Sequence, residues 1–163
     1  MLNTSFSPWP SFTQQEADAV RNIVLSNKVN YWTGIECREF EKEFAEYTDS
    51  SHAIALSNGT VALDLAFHGL GVQVGDEIIV TSRTFLASVS SIVNAGAIPV
   101  FVDVCPETQN ITPENIRKTI TAKTKVIVCV HLAGWPCEMD EIISIAAERN
   151  IYVVEDCAQA HGA

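Results

Sequence analysis

Three short stretches of this sequence combine residue types that could hold a small, planar, anionic ligand. Ser57-Asn58-Gly59-Thr60 lies where an apolar run gives way to a helical pattern. A small-residue turn there leaves backbone N–H groups unpaired at a helix N-terminus, which suits a phosphate. The same residues also read as an ordinary Ser or Asn cap, with Gly59 easing a tight turn. Thr84-Phe85 follows a second apolar run, and Phe85 could either stack on a planar ligand or fill the core. Glu155-Asp156-Cys157-Ala158-Gln159-Ala160-His161-Gly162 follows a wholly apolar run. A carboxylate buried there needs a positive partner or several hydrogen bonds, whereas an Asp that caps a following helix needs neither.

Other groupings carry less chemistry. Cys157 and His161 are four apart, and Cys129, His131 and Cys137 are close in sequence, but neither set has a zinc-ligand spacing, so no metal site is expected. Gly69-Leu70-Gly71-Val72-Gln73-Val74-Gly75 follows a helix and places its last glycine one position late for a dinucleotide fingerprint, so it reads as a helix end and loop. Ser88, Ser90 and Ser91 lack the nucleophile-elbow pattern of serine hydrolases.

The elements that must position these residues follow from periodicity. Residues 1–12, with Pro8, Trp9 and Pro10, read as an extended arm that docks through aromatic contacts. Thr13 caps a helix with Ala17, Val20, Ile23 and Val24 on one face. A second helix over 36–47 carries Phe40, Phe44 and Tyr47 as an aromatic stripe, read as core rather than as a cofactor site. From residue 52 onward, strand-like runs at 52–56, 77–81, 98–102, 125–130 and 151–154 alternate with helical patterns at 60–70, 85–94, 113–120 and 139–149. That alternation is an α/β signature. Runs such as Ile78-Ile79-Val80 and Val126-Ile127-Val128-Cys129-Val130 are apolar on both faces, as in parallel strands covered by helices on each side. All three chemical stretches then fall just beyond the carboxyl ends of strands, where open parallel sheets bind ligands.

Composition narrows the function classes. The chain has 163 residues, 47% hydrophobic and 18% charged, enough apolar surface for a folded core. Its formal net charge of -10 would repel a phosphate backbone, so nucleic acid is not an expected partner. Five scattered cysteines do not look like a disulfide framework and fit a reducing cytoplasm. No secretory leader pattern opens the sequence and no apolar run is long enough to cross a bilayer, so no membrane partner is expected.

Five ordered motifs resemble one family: Ser57-Asn58-Gly59-Thr60-Val61-Ala62-Leu63, Thr84-Phe85-Leu86-Ala87-Ser88, Gly96-Ala97-Ile98-Pro99-Val100-Phe101-Val102-Asp103, Val130-His131-Leu132-Ala133-Gly134-Trp135-Pro136, and Glu155 through Ala163. That family is the DegT/DnrJ/EryC1/StrS sugar aminotransferases, and the resemblance runs from Trp32-Thr33-Gly34 and Phe40-Glu41 to the last residue. It implies a pyridoxal 5'-phosphate (PLP) enzyme of the aspartate-aminotransferase fold, moving an amino group from glutamate or glutamine to a keto sugar on a nucleotide diphosphate. The implied architecture is a three-layer α/β/α domain with a mostly parallel sheet. Residues 1–51 would form the arm and two helices, and residues 52–163 the amino-terminal part of the PLP-binding large domain.

By the same resemblance, Gly59, Thr60 and Val61 would bind the cofactor phosphate, Phe85 would stack on the pyridine ring, Asp156 would pair with the ring nitrogen, and Gln159 would contact the phenolic oxygen side. Trp32, Thr33 and Gly34 would lie near the sugar nucleotide. Cys137-Glu138 and Cys157 depart from the family's usual residues without touching these roles. Family members carry a Schiff-base Lys in a segment downstream of the Asp156 motif, and none of Lys28, Lys42, Lys118, Lys123 or Lys125 sits in a matching context. The chain by itself is therefore expected not to be a competent aminotransferase. The family's sheet also places later strands beside the first, so the 52–56 strand is expected to lack a neighbour, with homo-oligomerisation or a partner polypeptide supplying it. The other reading is a non-catalytic α/β binding or assembly module that retains the fold.

Overall fold

The structure is a computed structural model, and it describes residues 9–163. Pro8 and the rest of the predicted arm before Trp9 lie outside the described residues. The chain divides into two compact units, Met1–Ala55 and Leu56–Ala163.

In the first unit, helix α1 (Gln14–Ser26) starts at a capping box. Thr13 Oγ1 accepts the Glu16 N–H at 3.2 Å, and Glu16 Oε2 accepts the Thr13 N–H at 2.6 Å. Two donors that the helix leaves without partners are thereby satisfied. Helix α2 (Glu36–Tyr47) carries the expected aromatic stripe, with Phe40 and Phe44 rings 5.6 Å apart and Phe44 and Tyr47 rings 6.2 Å apart. Two expectations are corrected here. No residue of α1 or α2 is buried, and Phe40 and Tyr47 are mostly exposed, so the stripe is not core. Trp9 is 95% exposed and Phe12 is also exposed, so the described part of the arm does not pack within its own unit.

The second unit runs α3 (Gly59–Gly69), β1 (Glu77–Thr81), α4 (Leu86–Asn94), β2 (Ile98–Val102), α5 (Pro113–Thr119), β3 (Thr124–Val130), a short turn of 3-10 helix at Leu132–Gly134, α6 (Met139–Arg149) and β4 (Tyr152–Asp156). Among the described residues the sheet has four strands in the order β2-β1-β3-β4, all parallel. The twofold alternation of strand side chains divides the core cleanly. Ile79, Ile127 and Cys129 point into one cluster with Ile116 and Ile142, while Ile78, Val80, Val126 and Val128 point into another with Leu63, Phe67 and Ile92. Helices therefore cover both faces, and the α/β/α expectation holds. Each fully buried aliphatic side chain contributes about 1.5–3 kcal/mol, which is why these strands tolerate no polar face.

Residues 52–56 join no ladder, as expected of a run without a neighbour, and the expectation that they form a strand is therefore corrected. The Ala55 N–H is taken by Glu41 Oε1 at 2.9 Å, a side chain in place of a neighbouring strand. Strand β4, by contrast, runs further than expected. Glu155 and Asp156 continue its register against Cys129 and Val130 of β3, so both belong to the strand, and no helix follows among the described residues.

Candidate functional site

The reversal in strand order falls between β1 and β3, since β1 leads outward to β2 and the chain then returns to β1's other side. A crevice opens at the carboxyl ends there, as it does in doubly wound sheets generally. A cavity of about 340 Å³ occupies it, within the roughly 300–1,000 Å³ typical of cofactor sites. Its walls come from the start of α3 (Gly59, Thr60, Leu63), the turn after β1 (Thr84, Phe85), the end of β3 (Val130, His131, Leu132) and the end of β4 (Asp156, Ala158, Gln159).

At the first wall, Asn58 adopts extended backbone and its Oδ1 accepts the Val61 N–H at 3.0 Å. The Gly59 and Thr60 N–H groups have no acceptor among the described residues. A Cβ built on Gly59 would meet no atom within 4 Å, so the protein does not itself need glycine there. Bare N–H groups, open space and the positive end of α3 form a cradle for an anion. Val61 is not brought to the cavity lining, and its N–H is already engaged.

At the opposite wall, Asp156 is half-buried and held on both oxygens. Oδ2 accepts the Ser88 hydroxyl at 3.0 Å and Oδ1 accepts the Ala158 N–H at 3.2 Å. These bonds answer the demand of a carboxylate at the end of an apolar strand without an ion pair. Phe85 precedes α4 with extended backbone and is 75% exposed, so it is not core. Gln159 is anchored through Oε1, which accepts the Ala133 N–H at 2.8 Å. Beneath it Gly134 has φ +83, and a Cβ there would lie 3.0 Å from the Gln159 carbonyl. Buried Asn110 braces the same turn: its Nδ2 donates to the Trp135 carbonyl at 2.7 Å and its Oδ1 accepts the Leu132 N–H at 3.3 Å. Nothing in the sequence around Asn110 signals that role, because its partners lie more than 20 residues away.

His131, Glu155 and Cys157 place one possible ligand atom each within 4.8 Å of one another, a grouping that differs from both cysteine-histidine sets of the sequence. The hydrogen bonds argue against a metal set. The Cys137 N–H donates to His131 Nδ1 at 3.1 Å, so the ring proton sits on Nε2 and is donated to Glu155 Oε2 at 2.9 Å. Nε2 has no lone pair left to offer. Burial first, then the Glu155 and Asp156 carboxylates, raise the Cys157 thiol, which keeps it protonated.

The remaining sequence candidates belong to the first unit. Asn30 Oδ1 accepts the N–H groups of Trp32 and Thr33, each at 3.0 Å. Gly34 is buried, and a Cβ there would lie 2.5 Å from the Lys28 carbonyl and 2.8 Å from Glu36 Oε2. The loop thus presents Trp32, 88% exposed, on a backbone that only glycine allows to close.

Residues 10–163 match the model of the DegT/DnrJ/EryC1/StrS aminotransferase family. The chain belongs to this family. It is 45% identical over 157 residues to GDP-perosamine synthase of Escherichia coli O157:H7, covering 94% of this chain and 42% of that protein. Among solved structures, an aminotransferase from Psychrobacter cryohalolentis superposes with a TM-score of 0.94 at 66% identity, over 97% of this chain and 40% of that one. NtdA from Bacillus subtilis, solved with bound cofactor PMP, superposes with a TM-score of 0.86 at 30% identity, over 98% of this chain and 39% of that one. The chain therefore spans about two fifths of the length of these relatives.

The cavity fits the cofactor of this DegT-family fold. It pairs an anion cradle with a carboxylate that retains free lone pairs, and its lining adds an exposed aromatic ring and an anchored amide.

Proposed function

We propose that this chain forms the cofactor-holding part of a PLP-dependent aminotransferase that acts on a nucleotide-diphosphate keto sugar, in amino-sugar or polysaccharide biosynthesis. The observation that carries the reading is the bare Gly59–Thr60 end of α3 facing the same cavity as the Asp156 carboxylate. A phosphate and a protonated ring nitrogen need those two groups in one site.

When bound, the cofactor supplies a protonated pyridine ring that draws electron density from the carbon undergoing proton exchange. The protein's residues do the rest. Gly59 and Thr60 hold the phosphate by their N–H groups. Asp156 keeps the proton on the ring nitrogen through a charge-assisted hydrogen bond. Phe85 would stack on the ring and restrict water, and Gln159 would address the phenolic oxygen side. Val61 supports the cradle indirectly, by tying its N–H to the Asn58 cap.

We place the boundary between the arm with its two helices and the large domain near residue 51, close to the observed division at Ala55. Trp32, Thr33 and Gly34 are assigned to sugar-nucleotide contact, with glutamate or glutamine as amino donor, in a cytoplasmic protein. Among the described residues no lysine lines the cavity. Transamination then requires an amine that the described residues do not place in the cavity.

Titration with PLP tests the reading. An absorbance change that saturates, and that is lost in Asp156→Ala and Phe85→Ala, is the expected result. No binding at millimolar PLP overturns it and favours a non-catalytic binding or assembly module.

A further inference from the structure

Ser88 does not line the cavity, is fully buried, and still spends its hydroxyl on the site. It lies in the first turn of α4. Its Oγ is 3.0 Å from Asp156 Oδ2 and 2.8 Å from Thr84 Oγ1. An ionised carboxylate only accepts, and a serine hydroxyl carries one proton. Ser88 must therefore donate to Asp156, and Thr84 must donate to Ser88. The three side chains form a relay with a single direction, from Thr84 through Ser88 to the carboxylate. The Ala158 N–H holds the other oxygen, so the plane of the carboxyl group is set from the protein side. Of its roughly four lone-pair sites, these two bonds leave the rest free on a residue that lines the cavity.

We propose that Ser88 is a positioning residue, with Thr84 behind it, which orients the Asp156 carboxylate toward a ring N–H donor in the cavity. The proposal rests on the PLP reading above and adds to it a residue that the cofactor does not touch. The relay also makes the carboxylate oxygen nearest α4 poorer as a free acceptor, and so directs the ring proton to the remaining lone pairs.

The test uses the full chain with PLP labelled with ¹⁵N in the ring. Ring-nitrogen chemical shift and cofactor Kd are measured at neutral pH for the wild type, Thr84→Ser, Thr84→Val, Ser88→Ala and Asp156→Asn. Circular dichroism and thermal melting establish which variants fold. The expected order is a wild-type signal in Thr84→Ser, a partial shift toward unprotonated nitrogen in Thr84→Val, a larger one in Ser88→Ala and the largest in Asp156→Asn. The Kd in Ser88→Ala should rise about three- to tenfold, the range of one typical hydrogen bond, because Ser88 acts on the cofactor only through Asp156. A wild-type signal in folded Ser88→Ala overturns the proposal while leaving the PLP reading intact. If Ser88→Ala does not fold, a wild-type signal in Thr84→Val overturns it equally. Absence of PLP binding by the wild type overturns both.

Discussion

The Ser88 hydroxyl donates to Asp156 Oδ2 across 3.0 Å, joining residues 68 positions apart in the chain. Helix α4 brings the hydroxyl and strand β4 the carboxylate, so the contact exists only when α4 is packed on the sheet and β4 is in register with β3. Fold and site are coupled at this bond, whereas the Gly59 cradle can be altered with little effect on the fold.

Gly59→Ala separates binding from stability. The added methyl meets open space in the protein, so the melting temperature should stay the same or rise slightly, an alanine being less free than glycine in the unfolded chain. The methyl instead occupies the approach to the bare N–H groups. PLP affinity should fall on the order of tenfold, about 1.4 kcal/mol, as read by spectroscopic titration beside a thermal melt.

Gly34→Ala should act in the opposite way. A Cβ there sits 2.5 Å from the Lys28 carbonyl, which is backbone and cannot swing aside. The loop must open, at a cost of about 1–3 kcal/mol, with a lower denaturation midpoint for the unit that contains it. PLP affinity is the control and should not change, because Gly34 does not line the cavity.

Asn110→Ala should destabilise the turn under Gln159. It removes two hydrogen bonds at a buried position and leaves the Trp135 carbonyl and Leu132 N–H without partners. The expected loss is about 1–3 kcal/mol in urea unfolding. A weaker PLP complex should accompany it, since the Ala133 N–H that anchors Gln159 lies in the same turn.

Tyr31 should titrate above the ordinary tyrosine value of 10.0, because its hydroxyl donates to Glu41 Oε2 at 3.1 Å and the carboxylate opposes the phenolate. A raised value in the folded chain means that the contact is intact below pH 10.0 and is lost as pH rises through the folded value. Absorbance titration near the phenolate band should show the upward shift in the wild type and its disappearance in Glu41→Gln.

Much of the fold was legible residue by residue. The doubly apolar runs identified β1 and β3 because a strand covered by helices on both faces admits no polar face, and the period of α6 was complete from Met139 to Arg149. Errors fell where a pattern needs a neighbour to become structure. Residues 52–56 have strand-like composition but form a strand only beside another strand. The α2 stripe has core-like spacing but becomes core only against a packing partner. At the site, Gly59, Thr60, Phe85 and Asp156 stand out in the sequence and Gln159 through the family resemblance, and the structure gathers them around one cavity.

The α/β class and the residue types at the strand ends are readable from local sequence, because hydrophobic period and small-residue turns are local properties. The resemblance of its ordered motifs pointed to the family, which the family match then confirmed. Tertiary structure alone decided that Asp156 belongs to a strand rather than capping a helix, that Val61 is spent on Asn58, and that the buried Ser88 and Asn110 support the site from behind. Those facts depend on which donors meet which acceptors across long stretches of chain, and hydrogen-bond geometry is settled only when the helices have packed on the sheet.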